Sequence, residues 1–147
     1  VVGRDGWHYQ KVVYEAQVYE KVATTEQGLV NDSHSKDFSA VMDETTFALC
    51  PSGSGPNSIR LWEAMLNGAI PVILSDKWTP PGDDALWEAA SLRCAETPEA
   101  IAALPDRLEA IAAQPGRVRE MRAALLELTQ RYGPDGFVSD VIELFEG

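Results

Sequence analysis

Residues Thr45–Asp76 read TTFALCPSGSGPNSIRLWEAMLNGAIPVILSD, and the order of apolar and turn-forming residues in this stretch decides the fold class. TTFALC is a short apolar run and predicts a buried strand, whereas PSGSGPNS carries the glycine, proline, asparagine and serine of a turn-rich loop. IRLWEAMLN then predicts a helix, with Asn57 or Ser58 as N-cap, Gly68 just past its end, and Leu61, Trp62, Met65 and Leu66 as its apolar stripe. AIPVILSD predicts a second strand. Strand, helix and strand in that order form a βαβ unit of a parallel sheet, with the loop at the carboxyl end of the first strand, where ligands of such sheets bind.

Working outward, Ser91–Ala95 predicts a third strand. TPEAIAAL, PDRLEAIAA and PGRVREMRAALLELTQRY each begin near a proline suited to a first helical turn, and predict three successive helices. Val118, Met121, Leu125 and Leu128 share one face of the last, which Gly133-Pro134 ends. Phe137–Phe145, with Val138, Val141, Ile142 and Phe145 at helical spacing, predicts a closing helix. Toward the amino terminus, SKDFSAVMDET reads as an amphipathic helix feeding the first strand. Val12, Ala16, Tyr19 and Val22 have helical spacing among β-formers, and Val1-Val2-Gly3 has the look of a strand end.

The chain has 147 residues, 45% of them hydrophobic and 24% charged, which suits a single globular core. Twelve basic residues against 23 acidic ones give a formal net charge of -11, a field that argues against nucleic acid or an anionic membrane as partner. A small anion is a different matter, because a few donors at a helix start outweigh a distant net charge. No apolar run approaches the roughly 18 residues of a membrane span, and no targeting signal opens the chain, so a cytoplasmic location is the expectation. The start at Val1, without an initiator methionine, reads as that of a processed product or an excised segment.

Cys50 and Cys94 are the only cysteines, in or beside apolar segments and without metal-ligand spacing. They read as two buried reduced thiols, with a bridge between them as the alternative, and no metal site is expected. Asp83 and Asp84 read as a solvated acidic turn, Trp62, Trp78 and Trp87 as packing residues, and His8 and His34 as solvent or packing histidines.

In the loop PSGSGPNS, Gly53 and Gly55 allow a ligand to come close to the free N–H groups of the helix start, a geometry that suits a diphosphate. The established phosphate fingerprints are absent: there is no Gly-Lys-Ser/Thr, and Ser58 stands where G-x-G-x-x-G needs its third glycine. Arg60 is a cation in the first helical turn, against the dipole, and a bound phosphate would compensate it. Glu63, three residues on, offers an i,i+3 ion pair instead. Spacing leaves the two readings of Arg60 equal. Asp76 ends a strand on the ligand side, as a group that orients a loop or a sugar hydroxyl or as an exposed turn acid.

The segment FALCPSGSGPNSIRLWEAMLNGAIPVILSDKW resembles the signature of the exostosin family of glycosyltransferases, in its order of strand, CPSG loop, SxRxxEA helix, G-x-I-P-V strand and terminal Asp. The likeness is strong over about residues 38–80 and looser through LWEAASLRCAETPEAIAALPDRLEAI; residues 1–34 show no recognised motif. It implies an α/β, Rossmann-like parallel sheet flanked by helices, residues 1–147 forming one donor-binding lobe of a two-lobed GT-B type transferase. The implied donor is a nucleoside-diphosphate sugar, a UDP-sugar, bound by Ser52, Gly53, Ser54, Gly55, Asn57, Ser58, Arg60, Glu63 and Asp76. Ser58 and Arg60 match positions that hold the donor diphosphate, and Glu63 matches the acid that holds the nucleotide ribose. Eight positions before Glu63, where many two-lobed transferases carry a second glutamate facing the sugar, stands Gly55.

Arg60 is the residue expected to act in catalysis, by stabilising the departing diphosphate; no cofactor and no metal are expected. A complete two-lobed transferase needs roughly twice this length, so the acceptor lobe, the general base and the glycan acceptor site lie elsewhere, and this chain by itself is expected to be inactive. The rival reading is a non-catalytic nucleotide-binding or interaction module that retains the fold.

Overall fold

The computed structural model describes residues 45–52, 55–82, 84–134 and 136 of the chain. The segments expected at residues 1–44 and Phe137–Phe145, with His8, His34, Gly53, Ser54 and Asp83, lie outside the described residues.

A three-stranded parallel sheet organises the fold, in the order β1 (Phe47–Pro51), β2 (Ile70–Leu74), β3 (Leu92–Arg93). Helix α1 (Ile59–Leu66) connects β1 to β2 and α2 (Asp84–Ala90) connects β2 to β3, while α3 (Pro98–Ala112) and α4 (Pro115–Tyr132) follow. The α/β class and the βαβ unit expected from Thr45–Asp76 are what the chain forms.

The central strand explains its own composition. All five residues of β2 are buried, as a parallel strand covered on both faces requires. Pro71 sits in that strand although proline cannot donate to a ladder. Ile70 N–H donates to Thr46 O on the β1 side, and Ile73 O accepts from Cys94 N–H on the β3 side. Alternation therefore aims Pro71 toward β3, which begins only opposite Val72. The missing donor faces a place where no strand has yet started.

Period-2 alternation divides the core between the two faces of the sheet. Ala48, Cys50 and Ile73 pack with Leu61, Ala64 and Met65 of α1, Trp87 and Ala90 of α2, and Leu125 and Leu128 of α4. Ile70, Val72, Leu74, Leu92 and Cys94 pack on the other face with Ile101, Leu104 and Ile111 of α3 and Met121 of α4. Both cysteines are buried free thiols; they belong to opposite layers, which removes the bridge between them.

Four local expectations change. The apolar stripe of α1 is Leu61, Ala64 and Met65, with Trp62 partly buried against the same core, and Leu66 stands 57% exposed, because the i, i+3, i+4 face that meets the sheet ends at Met65. Residues Pro98–Ala112 form one helix instead of two, with Thr97 as N-cap and Pro105 inside. An internal proline costs about 3 kcal/mol, and here the buried row Ile101, Leu104, Pro105 and Ile111 keeps the segment packed along its length. Asp84 opens α2 rather than lying in a turn, its carboxylate at the favourable positive end of the helix. The third strand contracts to Leu92–Arg93, extended by one ladder bond at Cys94.

Trp87 gathers the end of the molecule near α2. Its ring meets Trp78 edge-on at 5.0 Å and Trp62 at 6.2 Å, Tyr132 stacks on it at 6.0 Å, and its Nε1–H donates to Pro81 O at 2.9 Å. The three tryptophans are packing residues, as their sequence setting implied.

Candidate functional site

Parallel strands deliver their carboxyl ends to one edge of a sheet, and that edge is where chain reversal leaves polar groups unused by the ladder. Ser52 follows β1, Ser75 and Asp76 follow β2, and Glu96 follows β3. The start of α1 opens toward the same edge because the helix leaves β1 there.

That start is capped by Ser58, whose backbone is extended and whose Oγ accepts from Arg60 N–H at 3.3 Å. Asn57 Oδ1 accepts in turn from Ser58 N–H at 2.8 Å. Of the two cap candidates, Ser58 takes the role and Asn57 supports it. As an acceptor toward Arg60, Ser58 keeps its hydroxyl proton to donate outward. At Gly55, three residues before the cap, an added Cβ would meet nothing within 4 Å among the described residues beyond its chain neighbours.

Arg60 Nη1 lies 3.4 Å from Glu63 Oε2, with both side chains about one-third exposed or more (35% and 40%). The i,i+3 pair that spacing allowed is formed. Glu63 Oε2, the oxygen that faces Arg60, is buried and makes no hydrogen bond among the described residues, so the Arg60 charge is what compensates it. Both residues are close enough to act on the thiol of Cys50, which stands at about 12: burial raises it, Arg60 pulls against that rise, and Glu63 adds a smaller upward push. Charge at the start of α1 therefore reaches the end of β1.

Around the strand ends a compact network is already made. Ser52 is 8% exposed; its N–H donates to Leu74 O at 3.0 Å and its Oγ–H to Glu96 Oε1 at 2.7 Å. Glu96 Oε2 accepts from Asp76 N–H at 3.1 Å, and Glu96 N–H lies 3.2 and 3.3 Å from the two oxygens of Asp76. Asp76 thus closes β2 against β3 through a reciprocal pair of backbone-to-carboxylate bonds. Ser75 is 4% exposed and its Oγ–H donates to Pro56 O at 2.8 Å. Arg93 donates through Nη2 to Trp78 O at 2.7 Å and Ser75 O at 3.3 Å while lying over the Trp78 ring.

The structure brings Ser52, Gly55, Asn57, Ser58, Arg60, Glu63 and Asp76 to one edge; Gly53 and Ser54 lie outside the described residues. Sequence reading passed over Ser75 and Glu96. Their only signal was position, one directly after β2 and the other shortly after β3, and it is legible only once the strand ends are known. Among the described residues no three His, Cys, Asp or Glu side chains cluster to hold a metal ion, and no helix there is long and apolar enough to cross a membrane.

A profile of the Exostosin GT47 domain matches residues 10–108 of the 147. The chain belongs to the exostosin GT47 family. Among curated proteins it is 33% identical over 93 residues to Probable glucuronosyltransferase GUT1 of Oryza sativa subsp. japonica, which covers 63% of this chain and 22% of that protein. It is 31% identical over 97 residues to Exostosin-1 of Drosophila melanogaster, covering 65% of this chain and 12% of that protein. It is also 33% identical over 93 residues to Probable beta-1,4-xylosyltransferase IRX10 of Arabidopsis thaliana, covering 63% and 22%. This exostosin-family chain spans about a fifth or less of the length of these relatives.

Proposed function

We infer that this exostosin-family chain is the nucleotide-sugar binding lobe of a two-lobed glycosyltransferase, residues 1–147 forming the lobe and a second lobe supplying acceptor site and general base. The observation that carries the reading is the start of α1: an N-cap with a hydroxyl proton to spare, Arg60 in the first turn, and a carboxylate one turn farther on, all at the carboxyl edge of a parallel sheet. The names of the relatives, probable glucuronosyltransferase and probable beta-1,4-xylosyltransferase, support transfer of a sugar from a donor.

In the reaction, the bond between the anomeric carbon and the diphosphate oxygen breaks and its electron pair leaves on the diphosphate. An acceptor hydroxyl oxygen forms the new bond at that carbon and gives its proton to a base in the second lobe. Arg60 and the donors at the start of α1 oppose the negative charge that develops on the leaving group, and they do so from fixed positions, without reorganisation at the moment of reaction. Glu63, farther along the helix, accepts from the ribose hydroxyls. The donor nucleotide of this reading is UDP.

Calorimetry on the chain with UDP tests the reading. Weak saturable binding, in the millimolar range or tighter, is expected, because the lobe supplies only part of the contacts. Absence of heat with every nucleoside diphosphate at millimolar concentration would remove the site.

A further inference from the structure

Two buried hydroxyl contacts hold the connection from β1 to α1 at its two described ends. On the β1 side, Ser52 Oγ–H donates to Glu96, a residue 44 positions away that follows β3. On the α1 side, the carbonyl of Pro56, two residues before the N-cap, accepts from Ser75 Oγ–H at the end of β2. Neither contact belongs to the strand ladder or to the helix, and neither is needed to close the β1–β2 pairing, which Ser52 N–H already extends to Leu74 O. Their joint effect is to set where α1 begins relative to the strand ends, and hence where Ser58 and Arg60 stand.

The chemistry of Glu96 fits this role better than that of a ligand group. One oxygen accepts from Ser52 and the other from Asp76 N–H, so the carboxylate ties together donors from two different strand ends. Ser52 correspondingly has its one O–H committed to Glu96, and it has no proton left for a phosphate. An anion at this edge is therefore held by the α1 side, by Ser58 and Arg60, and depends on α1 being held at the right distance. Misplacement of a binding group by a fraction of the hydrogen-bond range is costly, since such bonds weaken steeply away from their preferred geometry.

We propose that Glu96 and Ser75 are positioning residues of the donor site, fixing the start of α1 against the ends of β1 and β2 so that Ser58 and Arg60 meet the diphosphate. The proposal rests on the donor-lobe reading given above. Glu96→Gln leaves one accepting oxygen where two donors need one each, and Ser75→Ala removes the bond to Pro56 while changing little volume.

The test compares UDP with uridine, the latter read by competition against UDP, on wild type and both variants of the full chain, with thermal unfolding recorded for each. Each variant is expected to lose about three- to tenfold in UDP affinity, the range of one net hydrogen bond, with uridine affinity unchanged. Wild-type affinity for UDP in both variants overturns the proposal. So does an equal loss for UDP and uridine, which marks general loosening of the lobe. Should Glu96→Gln unfold, Ser75→Ala decides alone. A wild-type chain that binds no UDP removes the donor-lobe reading and this proposal together, whereas binding that neither variant disturbs removes the proposal only.

Discussion

Arg60 Nη1 and Glu63 Oε2 face each other at 3.4 Å on the first turns of α1, an ion pair without a hydrogen bond between side chains 35% and 40% exposed. A pair of this kind contributes little to stability, about 1 kcal/mol or less. It places the cation at the helix start, where its charge opposes the dipole, beside an acid whose Oε2 makes no hydrogen bond among the described residues.

Arg60→Ala should therefore separate binding from folding. UDP affinity is expected to fall about tenfold or more, the scale of a charge-assisted contact, while the unfolding free energy changes by about 1 kcal/mol or less. Calorimetry beside denaturant unfolding measures both. A variant that binds UDP normally and unfolds much more easily would make Arg60 a residue of the fold alone.

Glu63→Gln keeps the shape of the side chain and removes its charge. If the Glu63 carboxylate accepts from the ribose hydroxyls, UDP binding weakens by about 1.5–3 kcal/mol while 2'-deoxy-UDP, which keeps only the 3' hydroxyl, loses less, so the preference of wild type for the ribonucleotide shrinks. An ion-pair role alone predicts the same preference in both proteins.

Burial holds the Cys50 thiol at about 12 against an ordinary 9.0, and burial also raises Cys94. In these groups the folded state keeps its proton when the unfolded chain has lost it. Stability linked to Cys50 is therefore intact below pH 9 and declines as pH rises from about 9 toward 12, by up to about 1.4 kcal/mol per pH unit. Cys50→Ala should flatten this part of the alkaline stability curve, and a thiol reagent at pH 8 should react slowly with the native chain and rapidly with the unfolded one. Fast native reaction at both thiols would contradict their burial.

Gly68 and Gly82 both have positive φ, 69° and 71°, but their surroundings differ. A Cβ at Gly68 would enter open space, whereas one at Gly82 would collide with the hydroxyl end of Tyr132, whose ring is stacked on Trp87. Gly68→Ala should cost about 1 kcal/mol from the backbone alone. Gly82→Ala should cost distinctly more, roughly 2–4 kcal/mol, since strain and overpacking add. Equal unfolding midpoints for the two variants would show that Tyr132 yields freely.

The residues from Thr45 to Asp76 by themselves determined the parallel βαβ unit, the loop at its carboxyl edge and the helix that follows, because period, turn chemistry and caps are local properties that a short window carries. The same window placed Ser58, Arg60 and Glu63 on one helix start. It left Asn57 and Ser58 as competing caps, since either side chain can reach a helical N–H and only backbone geometry chooses. Local reading erred where packing overruled propensity: Pro105 signalled a new helix but is buried within a continuous one, and Leu66 has the chemistry of a core residue at a position past the covered face. Tertiary structure alone decided the network at the strand ends. Ser52, the adjacent pair Ser75 and Asp76, and Glu96 stand far apart in sequence, with Glu96 20 positions from Asp76 and 44 from Ser52, and they meet because parallel strands end at a common edge, a relationship that no window of sequence contains.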